Sequence, residues 1–291
     1  MQRRKFLAIM GSLMAAGIFA LGGSWWRATR WSPFTVQVER YQLGLSGLPS
    51  EFVNTRIAQI SDLHLSDIVP AEYLQTCIDK VMAERPEAIF LTGDFLTAAP
   101  GHQRGQVFET YGASLQKLLR QLAAPLGVWA CWGNHDISVG PGRMAQLLED
   151  SGVRVLRDAW TRLRFPGGTQ ELAIGGLRDG LEFPNPKRAF EDLPEGEPIL
   201  LLMHQPDLFE EWEGPENALI FAGHLHGGQV NLPGITSHFV PSEYGDKYLS
   251  GVFRKGSRTM LVNRGLGVIR HRIRFRSPPE ISLVSLSLSE G

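Results

Sequence analysis

Five short segments combine carboxylate, imidazole and amide side chains at spacings suited to metal binding. They are Asp62-Leu63-His64, Gly93-Asp94, Gly133-Asn134-His135-Asp136, His204 and Gly223-His224-Leu225-His226. In extended chain, residues at i and i+2 point to the same side, so Asp62 with His64, and His224 with His226, would each aim at one small volume. Taken singly, every segment has an ordinary explanation: an Asp-x-His in a capped turn, a Gly-Asp turn, a buried histidine satisfied by one hydrogen bond. Together and in this order they point to a divalent metal centre with oxygen and nitrogen donors. Such donors suit Mn, Fe, Zn or Co better than Ca, and the absence of cysteine among them removes the signature of a structural zinc site. Two divalent ions roughly 3.5–4 Å apart can clamp a phosphate and polarise a water between them for attack on phosphorus.

Converging these segments requires strands that end side by side. Residues 56–61, 88–92 and 127–132 read as short apolar strands, each ending at one of the polar segments. Helical patterns over 71–84, with Pro70 at the start, and over about 106–122 lie between them. Residues 160–165, 171–175, 199–204, 219–222, 260–262 and 281–288 add further extended runs. Alternation of this kind implies an α/β domain, in which ligands gather outside the carboxyl ends of the strands. No repeat or low-complexity linker divides the body, so one catalytic domain is expected from residue 35 to 291, after an N-terminal segment of residues 1–30.

The five segments resemble the motifs of the calcineurin-like metallophosphoesterase superfamily, in family order and over nearly the whole chain after residue 35. The resemblance implies a four-layer αββα sandwich of two mixed sheets flanked by helices. It also implies ligand roles: Asp62, His64 and His226 on one ion, Asn134, His204 and His224 on the second, and Asp94 bridging both. His135 matches the non-ligand histidine beside the substrate, where it would protonate the leaving oxygen or stabilise the transition state, and Asp136 would orient it. Asn134 and His135 would also touch the substrate. No ligand position is missing, which argues against an inactive relative or a pure scaffold.

Within the superfamily, Gln59 to His64, Gly223 to Val230 and Val262-Asn263-Arg264-Gly265-Leu266-Gly267 look like a branch of bacterial membrane-associated phosphodiesterases. The cytoplasmic UDP-2,3-diacylglucosamine hydrolases usually have Arg where this chain has His135, and Arg-Pro where it has Gly227-Gly228. A chlamydial-type enzyme for the same lipid A intermediate is closer in style and keeps that pyrophosphatase activity as an alternative. A phosphomonoesterase of soluble metabolites is another. Arg264 could reach a phosphate as a bidentate donor or serve as a structural loop arginine. The alternating run from Arg270 to Arg276 reads as a strand with one wet face, either simply solvated or touching anionic lipid headgroups. Phe239, Tyr244 and Tyr248 either cover the site or pack their loop.

The 29 basic and 30 acidic residues give a net charge of −1, which disfavours nucleic acid as a partner. A phosphoester, lipid-linked in the leading reading, is the expected substrate, and a monomer the expected state. Cys77 and Cys131 read as buried thiols. Arg3, Arg4 and Lys5 precede an uncharged stretch from residue 6 to 26, near the minimum length for crossing a bilayer. The run Arg3-Arg4-Lys5-Phe6-Leu7 resembles a twin-arginine export signal, departing from it at Gln2 and Ala8. The positive flank favours a cytoplasmic N-terminus, placing the body in the periplasm of a bacterium. A retained anchor, with Trp25 and Trp26 at the interface, competes with a signal cleaved near Ala20-Leu21-Gly22. A cytosol-facing body stays open because Arg27 and Arg30 dilute the charge asymmetry.

Overall fold

Continuous apolar runs that end in polar turns become strands buried on both faces. In the computed structural model, residues 32–97 and 104–289 are described, together with 23, 26, 28 and 29. The expected N-terminal membrane or signal helix thus falls almost wholly outside the described residues. Among those described, no helix is long and apolar enough to cross a membrane.

The first sheet is built on β2 (Arg56–Ile60), β3 (Ala88–Leu91) and β4 (Val128–Ala130), parallel neighbours joined by α1 (Ala71–Ala83) and α2 (Arg104–Leu119). It extends through α3 (Asn134–Val139) and α4 (Pro141–Asp150) to β5 (Val153–Val155). On its other side lie β1 (Gln37–Leu45) and, between β1 and β2, the C-terminal β12 (Glu280–Leu288). β12 pairs parallel with β1 and antiparallel with β2.

The second sheet runs in the order β10 (Gly251–Lys255), β11 (Arg258–Val262), β9 (Ala218–Ala222), β8 (Ile199–Leu202), β7 (Leu172–Gly176) and β6 (Ala159–Leu163). Its four central strands are parallel and its two edges antiparallel. Both sheets are therefore mixed, as expected.

Between the sheets, Ile57, Phe90 and Trp129 pack against Leu200, Leu219, Phe221 and Leu261. Phe90 and Phe221 meet edge to face, ring centres 4.9 Å apart, a favoured aromatic geometry. Leu74, Ile78 and Val81 of α1, with Leu115 and Leu118 of α2 and Leu147 and Leu148 of α4, cover the outer face of the first sheet. Phe190, Phe209, Trp212 and Tyr248 cover that of the second. The flank there is thin: α5 (Pro186–Ala189), short 3-10 turns and loops.

α2 ends at Leu119, because residues 120–122 close a turn instead of continuing the helix. β1, β5 and β10 are strands that the sequence pattern did not single out. The run from Arg270 to Arg276 is not a strand; its one sheet-like contact is a bridge between Val230 and Phe275. The reason is Arg274, fully buried, whose guanidinium donates to the main-chain carbonyls of Arg264 (2.9 Å), Gly265 (3.0 Å), Gly267 (2.6 Å) and Ser277 (2.9 Å). The alternation of basic and apolar residues comes from a loop folded around a central arginine.

Candidate metal centre

The polar segments that follow β2, β3, β4, β8 and β9 meet in the groove at the carboxyl ends of these strands. Their side-chain donors form three overlapping groups: Asp62, His64 and His226; His64, Asp94 and His135; and Asp94, His204 and His224. Asp62 Oδ1 lies 3.7 Å from His64 Nε2 and 3.4 Å from His226 Nε2. Asp94 Oδ2 lies 3.5 Å from His64 Nε2 and 3.3 Å from His204 Nε2, at the seam between the groups. His64 Nε2 and His226 Nε2 face each other at 3.0 Å, and His224 Nδ1 faces His204 Nε2 at 3.1 Å.

Each carboxylate is held by one oxygen and offers the other. Asp62 Oδ2 accepts from Ser61 Oγ (2.6 Å) and from the His224 N–H (3.0 Å), while Oδ1 is buried with no hydrogen-bond partner. Asp94 Oδ1 accepts the His135 N–H at 2.8 Å, which leaves Oδ2 aimed into the cluster. Two imidazoles are oriented by main-chain carbonyls, as second-shell partners of metal ligands commonly are. Thr92 O lies 2.6 Å from His204 Nδ1 and Pro241 O lies 3.3 Å from His224 Nε2. Asn134 Oδ1 is likewise buried without a partner. An orphaned acceptor such as Asp62 Oδ1, within 3.7 Å of two imidazole nitrogens, is what a cation would satisfy, so the residues fit a divalent metal.

The backbone is bent to achieve this. Asp62, His64, Asp94, His224 and His226 all have φ between 47° and 75°, a left-handed conformation that is uncommon for non-glycine residues and gathers at functional sites. The two ligand pairs therefore converge through tight turns, not through the extended alternation expected from their spacing. Two glycines make room. A Cβ on Gly133 would lie 2.2 Å from Asp94 Oδ1, and one on Gly223 would lie 2.5 Å from Asp62 Oδ2.

Electrostatics divide the donors: burial opposes the charge on His204, yet Asp94 beside it holds its imidazole well above the usual range, whereas two other imidazoles shift down. Burial opposes ionisation of Asp62, yet His226, His64 and His204 hold its carboxyl well below the usual range. Burial pushes His226 down to about 3, and burial with His204 pushes His224 down to about 4. These imidazoles are thus neutral near pH 7, the form that binds metal.

His135 lies against this centre, its ring edge-on to His64 with centres 4.8 Å apart. Burial lowers it to about 4. Its Nδ1 is 2.7 Å from Thr97 Oγ1. Asp136, expected to orient this ring, does something else. Its Oδ2 accepts from the N–H groups of Asp94 (2.7 Å) and Gly133 (2.9 Å), and its Oδ1 from Phe95 N–H (2.8 Å). A carboxylate at the third position of a helix turns back to the helix start, so Asp136 ties the β3 and β4 loops together and Thr97 holds the ring.

Arg264, a candidate phosphate contact, forms ion pairs with Glu39 (2.7 Å) and Glu280 (2.8 Å). This engages its guanidinium with carboxylates of β1 and β12. Ser61 and Thr97 were not anticipated. Their hydroxyls carry no sequence signal beyond adjacency to the Asp62 and Asp94 segments. Tyr248 is buried in the second outer core, packed edge-on against Phe253 and Phe209, while Phe239 is 81% exposed.

The model of the calcineurin-like phosphoesterase family matches residues 55–228, from the start of β2 to the end of the last histidine segment. The chain belongs to that family. It is similar to the uncharacterized metallophosphoesterase YkuE of Bacillus subtilis, 33% identical over 290 residues that cover 98% of each chain. It is also similar to the UDP-2,3-diacylglucosamine pyrophosphatase LpxG of Chlamydia trachomatis, 29% identical over 95% of this chain and 96% of that one. The phosphodiesterase YaeI of Escherichia coli is 28% identical over 79% of this chain and 82% of its own length. As a calcineurin-like phosphoesterase the protein is a metal-dependent hydrolase of phosphoric esters, with its candidate ligands in the cluster just described.

Proposed function

We propose that this calcineurin-like phosphoesterase is a dinuclear, monomeric phosphodiesterase or pyrophosphatase, using Mn, Fe, Zn or Co on a substrate that lies at a membrane. The observation that carries the dinuclear reading is Asp94 Oδ2, placed between His64 Nε2 at 3.5 Å and His204 Nε2 at 3.3 Å. Asp62, His64 and His226 would hold one ion, Asn134, His204 and His224 the other, with Asp94 common to both. Divalent ions there would bind phosphate oxygens, polarise the attacking water and neutralise charge on the departing oxygen.

The chain's own groups position and donate. Ser61 and the His224 N–H fix Asp62, and the His135 N–H fixes Asp94, so the acidic ligands need little reorganisation. When Thr97 donates to His135 Nδ1, the neutral ring carries its hydrogen on Nε2. That atom can then stabilise a phosphoryl or leaving oxygen by a hydrogen bond.

The membrane-proximal part is supported by the uncharged stretch at residues 6–26 behind Arg3-Arg4-Lys5. The extended likeness to LpxG favours one specific substrate, UDP-2,3-diacylglucosamine, as the second reading. Full-length protein loaded with Mn²⁺ should be assayed on bis(p-nitrophenyl) phosphate, p-nitrophenyl phosphate and UDP-2,3-diacylglucosamine. Turnover of the diester or the pyrophosphate should exceed that of the monoester; a monoester preference would refute the assignment. The proposal includes a retained anchor with the body in the periplasm. Protein should then stay in the membrane pellet after carbonate extraction, and protease outside spheroplasts should digest it. Protection of the body would place it on the cytosolic side, and a mature N-terminus near Gly23 would mean a cleaved signal.

A further inference from the structure

We infer that two loops, residues 229–241 and 269–277, form a rim beside the metal centre that docks on an anionic bilayer. Both lie beyond the stretch that matches the family model. The inference rests on the membrane-proximal reading above and adds the surface that meets the membrane.

The two loops are zipped into one unit. Phe275 N–H donates to Gln229 O and Asn231 N–H to Phe275 O, each at 2.9 Å, and the Gln229 amide accepts from Ile269 N–H at 2.9 Å. Each loop is also fastened to a metal-ligand candidate. Pro241 O sits 3.3 Å from His224 Nε2, and Ser277 Oγ donates to His226 O at 2.6 Å. Whatever this unit touches is held next to the site.

Its surface chemistry is one-sided. Neither loop contains an Asp or Glu, and Arg270, His271, Arg272 and Arg276 are exposed. On the first loop Leu232 (37%), Ile235 (49%) and Phe239 (81%) are exposed large apolar side chains. Exposed apolar residues are ordinary one at a time, but three within eight residues, flanked by arginines, match an interface with acyl chains beneath and anionic headgroups around.

The end of the N-terminal stretch identifies the occupant. Ala28 O accepts the Arg274 N–H at 2.9 Å, and Arg272 stacks 4.3 Å over the Phe34 ring. The chain that follows the uncharged stretch thus joins the body at this rim, at Ala28 and Phe34, and a bilayer that received residues 6–26 would meet these loops. Each arginine near an anionic surface is worth roughly fivefold in partitioning, so the three exposed ones together contribute on the order of a hundredfold.

The test uses full-length protein reconstituted into phosphatidylcholine vesicles with or without phosphatidylglycerol. A Phe239→Cys variant is labelled with an environment-sensitive fluorophore; the native Cys77 and Cys131 are buried. In phosphatidylglycerol vesicles the label should shift to the blue and be quenched by brominated lipid, and high salt should weaken both effects. A triple variant, Arg270→Glu, Arg272→Glu and Arg276→Glu, should return the label to its aqueous emission with an unchanged Tm. The corresponding triple Gln variant should give an intermediate response. A label at Gln146→Cys on α4 should stay in water throughout. Aqueous emission from position 239 with phosphatidylglycerol, equal burial at position 146, or burial that grows with protein concentration without vesicles would each overturn the rim. Hydrolysis of bis(p-nitrophenyl) phosphate reads the catalytic assignment separately: the triple variants should retain it, and its absence in the wild type would sink the enzyme reading while leaving the rim measurable.

Discussion

Replacing Asp136 by Asn distinguishes a residue that orients His135 from one that binds two loops together. The carboxylate is fully buried and accepts three main-chain N–H groups, from Asp94, Gly133 and Phe95, at 2.7–2.9 Å. An amide can keep the two bonds on the Oδ2 side through its oxygen, but its NH₂ then faces the Phe95 N–H. One buried donor left unsatisfied costs about 1–3 kcal/mol, and the two retained bonds lose their charge assistance. A partial offset exists. Burial and the Asp94 charge push Asp136 up to about 7, so a neutral group relieves some repulsion. The net expectation is a loss of roughly 1–3 kcal/mol, which for a domain of this size lowers Tm by about 2–12 °C. The same bonds fix Asp94, so Mn²⁺ affinity should fall by about 10–100-fold, as for second-shell partners of metal ligands. At saturating Mn²⁺, kcat and its pH profile should stay close to wild type. Differential scanning fluorimetry, titration calorimetry with Mn²⁺ and kcat against pH on a soluble diester measure all three. Wild-type Tm and Mn²⁺ affinity together with a hundredfold loss of kcat would refute this reasoning and return Asp136 to the histidine.

Asp94→Asn should retain the fold, because Oδ1 can still accept the His135 N–H, but bind fewer than two ions per chain and lose turnover; a fully loaded, active variant would remove the bridging role. His135→Ala should keep wild-type metal content while kcat falls by about 10²–10⁴-fold, with a smaller loss for nitrophenolate than for an alkoxide leaving group; loss of both ions would make His135 a ligand. Thr97→Val, which removes the hydroxyl 2.7 Å from His135 Nδ1, should lower kcat by about tenfold, the equivalent of one hydrogen bond, at unchanged metal content. Cys77, which burial raises to about 12, and Cys131, which burial also raises, stay neutral thiols at pH 8, so native protein should resist iodoacetamide until denatured; rapid native labelling would contradict the packing.

The clustering of candidate donors was legible because each polar segment follows a strand directly, so residue type and order carried the information. Ligand orientation was not, because it depends on left-handed turns at Asp62, His64, Asp94, His224 and His226. Residue type signals such a conformation reliably only at glycine. The partners of Asp136 and Arg264 were not legible for a common reason: they lie far away in sequence, Asp94 and Phe95 for one, Glu39 and Glu280 for the other. The run from Arg270 to Arg276 showed a period of two, yet the residue at its centre is an interior cation bound to carbonyls, and periodicity does not distinguish that from a wet strand. β3, β8 and β9 stood out because strands covered on both faces are uniformly apolar, whereas β1 mixes polar residues with exposed and half-buried positions.

β12 lies between β1 and β2, with Gln37 opposite Glu280, Leu45 opposite Leu288 and Arg56 opposite Ser285. The last of the described strands therefore separates the first two. Among the described strands β1 has no other hydrogen-bonded neighbour, so until residues 280–288 are made it has none of them to pair with, and one edge of β2 stays open. The second sheet can assemble from residues 159–262 in the meantime, whereas the first waits for residues 280–288. Pairings of such long sequence separation form late and slowly, which leaves a growing chain with an unpaired edge until β12 is made. A chain cut before residue 280 would leave β1 without β12 and the first sheet incomplete, even though every candidate metal ligand had already been made.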